Sequence, residues 1–284
     1  MENKIKPILQ STKYSNSLHE WLPSNFSNFM KELEHISRTF SRLESKPLFR
    51  GQKISEWHLD STFARNTIEF LLCRTGLDTF NQEIRKSLEF QNAAVSLLML
   101  NFRKTLTPSK ELRKYELTHD TDPYFELMKN IQQYPENYHL HVKGSFLVDW
   151  TKSSNVALFF ANEDRVNHGS VWIFSSASTG KILQVKEVEK IFELMEAHNY
   201  SESACMPLMF HPPNQLEQKR AVNQEVVYIA QTDFRLDLSN AWYSMESENT
   251  PQTFIKMILP NGTQEECTED LESKSPKNGY FQNS

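Results

Sequence analysis

The hydrophobic period of this chain changes near its middle, and that change constrains the fold more than any single residue does. In the first half, apolar side chains recur at spacings of three and four. In "PSNFSNFMKELEHISRTFSRLE" (23–44), Phe26, Phe29, Met30, Leu33, Ile36, Phe40 and Leu43 form one stripe, with Ser24 or Asn25 placed to cap a helix. The segment 79–105 has no Gly or Pro and is apolar at Phe80, Ile84, Leu88, Val95, Leu98 and Phe102, which predicts a second long helix. "DPYFELMKNIQQY" (122–134) predicts a third, opened by Asp122 and Pro123. Beyond it the pattern turns to short apolar runs, "SFLVDW", "GSVWIF", "GKILQV", "EVVYIA" and "TFIKMIL", with one helical stretch, "EVEKIFELMEAHN", between them.

Helices first and strands later predict an α+β fold rather than a regularly alternating parallel sheet. The expected architecture is a helical N-terminal half packed on a split β-sheet core. Residues 1–45 read as a helical N-terminal segment, 46–259 as one domain of catalytic size, and 260–284 as a flexible tail, because the last stretch is polar, Glu-rich and poor in aromatics until Tyr280.

Composition narrows the function classes. With 38% apolar residues and 19 Phe, the 284 residues can bury a substantial core. Only 7 Gly are present, and neither GxGxxG nor GxxxxGK[ST] occurs, which argues against a Gly-rich phosphate loop. A net charge of −5 argues against a broad duplex nucleic-acid surface. Cys73, Cys205 and Cys267 form no CxxC pair, so a disulfide framework is not expected and the compartment reads as reducing. No signal-like or membrane-spanning apolar run occurs, and the expectation is a cytoplasmic protein without membrane contact. His139 and His141 alternate along the chain, but no third ligand is spaced to join them, so no metal is expected.

Three stretches carry chemistry: "PLFRGQ" (47–52), "LVDWTKSSNVALFFA" (147–161) and "RAVNQEVVYIA" (220–230). The second places Asp, Trp, Thr and Ser at a strand-to-helix junction, where hydroxyls can satisfy the free amides of a helix start while "VALFFA" buries. Taken singly, each has a plain structural reading: a capped core helix with Trp150 as packing, an ion pair at Arg50, an exposed Glu225 at the head of a strand.

Together they resemble the FRG domain, a bacterial family named for its Phe-Arg-Gly strand. The resemblance rests on Phe49-Arg50-Gly51-Gln52, Trp57, Leu59 and Arg65, then Asp149-Trp150-Thr151 with Ala157 and Phe160-Ala161, then Arg220 and Gln224. Ser145 and Phe146 stand where the family usually carries Thr and Arg. The order Arg, Ser/Thr, Glu is also similar to that of bacterial ADP-ribosyltransferases, with Asn223 where those enzymes usually carry Glu or Gln.

The two resemblances imply an FRG or ADP-ribosyltransferase-like domain over 46–259 with an ADP-ribosyltransferase-like fold, and the second implies NAD as co-substrate and a catalytic group of Glu225, Arg50, Thr151 and Ser153. Cleavage of the bond between ribose and nicotinamide builds positive charge on the sugar, and a carboxylate at Glu225 would stabilise it and help to deprotonate the nucleophile. Arg50 would hold the pyrophosphate, and Gly51 would let the backbone approach it. Thr151 and Ser153 would orient ribose or Glu225, and Trp150 or Phe160 would stack on the nicotinamide ring. Asp149 is expected to pair with Arg50 or Arg220. The implied activity is a mono-ADP-ribosyltransferase acting as a toxin or anti-phage effector on a protein or nucleic acid, with an antitoxin protein as a partner. The alternative is an FRG module that binds or senses a nucleotide without turnover.

Overall fold

A computed structural model describes residues 20–41, 47–75, 82–102, 122–133, 136, 138, 140–174, 184–198, 208–210, 226–243 and 254–274. Along the chain run β1 (Glu20–Trp21), α1 (Phe26–Ser41), β2 (Leu48–Gln52), α2 (Thr62–Thr75), α3 (Gln82–Arg85), α4 (Leu88–Met99) and α5 (Pro123–Gln133). There follow β3 (Leu147–Thr151), α6 (Ser154–Asn162), β4 (Gly169–Phe174), β5 (Gln184–Val185), α7 (Val188–Ala197), β6 (Leu208–Phe210), β7 (Val226–Ala230), α8 (Leu238–Tyr243), β8 (Phe254–Leu259) and α9 (Gln264–Lys274).

The strands make one eight-stranded sheet in the order β1-β8-β4-β2-β3-β7-β6-β5. Its interior pairs are antiparallel, and a parallel pair closes each edge. The α+β expectation holds. The sheet is continuous rather than split; where β2 meets β3, the ladder registers a single pair, Phe49 with Thr151.

Strand alternation sorts the core into two sides. On one, Phe49, Val171, Ile173, Ile255 and Met257 pack beneath α1, α6 and α9, while Leu147, Leu208, Phe210 and Tyr228 pack beneath α2, α4, α5 and α7. On the other lie Leu48, Val148, Trp150, Trp172, Phe174, Val227, Ile229 and Phe254, joined by Leu59 and Leu238.

Local chemistry explains the helix limits. Asn25 caps α1, its Oδ1 accepting from the Asn28 amide at 2.8 Å. The helix predicted over 79–105 breaks in its described part, because Ser87 turns to cap α4 by accepting from Phe90 N at 3.1 Å. Asp122 Oδ1 accepts from Tyr124 N and Phe125 N at the start of α5, and its Oδ2 accepts from Val188 N at 2.6 Å, so one carboxylate joins two helix starts.

Two boundaries need correction. The N-terminal helix is not a separate segment: Phe29, Leu33, Ile36 and Phe40 of α1 share a core cluster with Phe49 and Met257. The stretch expected as a tail holds α9, whose Cys267 and Leu271 enter the same cluster from successive turns of a Glu-rich helix. Among the described residues no helix is long and apolar enough to cross a membrane.

Candidate functional site

The three sequence stretches become neighbouring strands. β2, β3 and β7 are consecutive in the sheet, with Phe49 opposite Thr151 and Thr151 opposite Val226. Segments about a hundred and about seventy-five residues apart in sequence thus meet in one cross-strand row. Glu225, the residue before Val226, lies outside the described residues, as do Arg220, Asn223 and Gln224.

Arg50 is half-buried, directly opposite Trp172 of β4. The register also sets it beside Trp150 of β3, so its stem leaves the sheet on the side of the two indoles. Its Nη1 donates to the main-chain oxygen of Asp149 at 2.5 Å, at the point where the ladder between β2 and β3 is no longer registered. The guanidinium closes that gap. Its Nε is buried and has no acceptor among the described residues, and the same is true of Ser170 Oγ, which lies on the same side of the sheet opposite Gln52. Burial pushes the Arg50 guanidinium below its ordinary value; the charge of Asp149 offsets part of this, and that of Arg65 adds to it. An anion at this position would supply the missing acceptor and relieve the desolvated charge.

The other expected site residues serve different ends. Gly51 faces α6, not open space. A Cβ there would stand 1.8 Å from the Ala157 carbonyl oxygen and 2.7 Å from Ala161 N, so the glycine exists to let helix and strand backbones touch. Trp150 is fully buried against Phe174 and Phe254, both at 6.2 Å between ring centroids, which closes it to stacking on a ligand. Thr151 lies on the Phe49 side, opposite in face to Arg50, and its Oγ1 accepts from Ser153 N at 3.0 Å. Ser153 caps α6 through Val156 N at 3.4 Å. Phe160 is partly exposed and packs edge-on to Phe159. Asp149 is exposed; Arg50 bonds its main chain rather than its carboxylate. Ser145 and Phe146 are wholly buried, and Phe146 packs on Phe192.

A polar cluster that sequence reasoning missed lies on the loop leaving β2. Arg85 makes a forked pair with Asp60, Nη1 to Oδ2 at 3.0 Å and Nη2 to Oδ1 at 2.5 Å, with side chains only 4% and 2% exposed. Gln231 Nε2 donates to Asp60 Oδ1 at 2.7 Å, and its Oε1 accepts from Ser61 N at 2.8 Å. Beside this cluster His58 Nδ1 stands 3.6 Å from Asp237 Oδ2. Asp237 is the cap of α8, accepting from Ser239 N at 2.8 Å and Asn240 N at 3.2 Å. The cap signal "DLSN" was readable in the sequence; its histidine partner, far upstream, was not. Among the described residues no three His, Cys, Asp or Glu side chains form a metal-binding group.

Residues 45–169 match the family model described as FRG domain, a span that holds Arg50, Asp60, Arg65, Trp150, Thr151 and α6. No curated protein and no solved structure matches the chain.

Proposed function

We propose, from the match of residues 45–169 to the FRG domain model, that the protein is a NAD-dependent mono-ADP-ribosyltransferase acting as a toxic or defensive effector on a macromolecule. One observation supports this reading above the rest: β2, β3 and β7 lie side by side, and β2 presents a desolvated guanidinium whose Nε lacks an acceptor among the described residues. Arg50 is the group suited to a pyrophosphate oxygen, because its fork is fixed at one end by the Asp149 carbonyl. Glu225 is assigned the carboxylate that stabilises positive charge on the ribose. Thr151 and Ser153 act at one remove, holding the strand-to-helix junction. NAD is consumed as co-substrate, the acceptor is a protein or nucleic acid in the cytoplasm, and an antitoxin protein is the partner class.

The test is incubation of the full chain with labelled NAD and a cell extract. Wild-type protein labels a macromolecule or itself, while Glu225→Gln and Arg50→Ala do not; equal labelling by all three would sink the assignment. A second reading, a nucleotide-binding or sensing module without turnover, is favoured by the burial of Trp150 and by the placement of Arg50 and Thr151 on opposite faces of the sheet. Calorimetry separates the two. Nucleotide binding that needs Arg50 but releases no nicotinamide selects the module.

A further inference from the structure

We propose that His58 and Asp237 form an acid–base pair that takes the proton of the acceptor during transfer, an inference that rests on the transferase reading. Asp237 cannot turn away from the imidazole. Its carboxylate is 4% exposed and is held by Ser239 N, Ser239 Oγ, Asn240 N at 3.2 Å and Asn240 Nδ2 at 2.7 Å. His58 presents Nδ1 to this carboxylate, and its side chain is 61% exposed, so the ring has an anchored edge and a solvent-facing edge. At 3.6 Å the contact is an ion-pair separation, and a carboxylate at this edge favours the tautomer with its proton on Nδ1, which leaves Nε2 to exchange protons with a reactant.

The pair is also tied to the strand that carries Arg50. Gln52 Nε2 donates to the His58 main-chain oxygen at 3.4 Å, while Gln52 Oε1 accepts from the Trp172 indole at 2.7 Å. Gln52 and Arg50 point to the same face of β2, roughly 7 Å apart along the strand. The charged groups around the ring are Asp237, Asp60 and Arg85, and the last two neutralise each other in their forked pair. Asp237 therefore dominates the field on the imidazole. The carboxylate, 3.6 Å from Nδ1, raises the His58 value despite the opposing effect of partial burial.

In the transfer, the C1′–N bond to nicotinamide breaks with its electron pair retained by the ring nitrogen, which neutralises the pyridinium. A lone pair of the acceptor forms the new bond to C1′, and the acceptor proton passes to His58 Nε2 and then to water. Charge balances without a further reactant, and Glu225 keeps the separate task of stabilising the sugar cation.

The experiment measures NAD-dependent labelling by the full chain across pH 5–9, with His58→Gln and Asp237→Asn. His58→Gln is expected to lower kcat by about 10²–10⁴-fold, leave KM for NAD unchanged and abolish the acid limb of the profile. Asp237→Asn is expected to move that limb to lower pH, in step with the His58 ring signals followed by NMR. Turnover that Glu225→Gln abolishes and His58→Gln leaves intact, limb included, overturns the pair alone. No turnover by wild-type protein with any acceptor overturns the transferase reading and this reaction with it. His58→Gln alters an exposed side chain, so its thermal melt should match wild type, and the outcome stands even if Asp237→Asn fails to fold.

Discussion

Replacing Gly51 with Ala tests what the glycine of the Phe-Arg-Gly strand is for. The new methyl group would meet the Ala157 carbonyl oxygen at 1.8 Å, Ala161 N at 2.7 Å and the Ala157 carbonyl carbon at 2.9 Å. All three are main-chain atoms of α6, so no rotamer change relieves the clash. Favourable contact begins near 3.5 Å, so the helix must withdraw by about 1.5 Å, enough to forfeit much of the dispersion energy where Ala157, Leu158 and Ala161 meet the sheet. Overpacking costs about 1–3 kcal/mol where side chains yield, and backbone against backbone belongs at the top of that range, about 3 kcal/mol. For a chain of this size that is a fall in Tm of roughly 6–12 °C. Urea denaturation without nucleotide reads the effect as a lower midpoint at constant slope. Gly169→Ala lifts the same turn, its Cβ standing 2.4 Å from the Ala161 oxygen. The two losses should therefore combine to less than their sum. A Gly51→Ala loss under about 0.5 kcal/mol, or strict additivity, would refute helix packing as the reason for this glycine.

Two further perturbations address the buried charges. Arg85→Ala strands the Asp60 carboxylate beneath the loop and should cost about 3–5 kcal/mol by denaturation. Arg85→Met with Asp60→Leu should recover much of it, since the pair exists chiefly to neutralise itself. Burial opposes ionisation of Asp237, but the nearby His58 and hydrogen bonds from Ser239 and Asn240 outweigh it and hold the carboxyl at about 2, below its ordinary 3.8. A depressed carboxylate contributes stability above its unfolded value and loses it as pH falls through the folded one, so about 2 kcal/mol should disappear between pH 4 and pH 2. Asp237→Asn should flatten that slope in urea titrations. His58 has the opposite sign, with stability present below pH 6.5 and lost as pH rises through its raised folded value; being largely exposed, its share is small.

What the sequence disclosed follows from periodicity. β4, β7 and β8 fall within the apolar runs that mark them, and α1 within its stripe, because both faces of those strands and one face of that helix are largely buried, whereas β2 and β3 carry half-buried Arg50 and Gly51 and exposed Asp149 among buried neighbours. α2 is hard to read because wholly buried Thr67 interrupts its apolar face and Thr62, Arg65 and Asn66 flank it with polar groups, Arg65 being spent on the Asp60 carbonyl at 2.6 Å. α9 escaped because a helix that buries only Cys267 and Leu271 needs little apolar material, so its composition mimics solvated chain. At the site, the resemblance to ADP-ribosyltransferases pointed to the three strands that meet but not to the pairing parity. A residue and its neighbour face opposite sides of a strand, so Arg50 and Thr151 can sit on adjacent strands and yet not share a face.

That parity changes how a loss of activity should be read. Thr151 Oγ1 receives the Ser153 amide, Ser153 Oγ receives the Val156 amide, and the helix so capped presses Ala157 onto Gly51, the residue after Arg50. A substitution at Thr151 or Ser153 therefore reaches Arg50 only by loosening α6, and it must lower stability in proportion to the activity it removes. Arg50 differs, because its Nη1 bond to Asp149 is one contact and its Nε offers another that no described protein group takes. Arg50→Lys keeps the charge but not the fork. It should lose ligand affinity with little loss of stability, and this separation of binding from folding distinguishes a ligand-binding guanidinium from a stitch in the sheet.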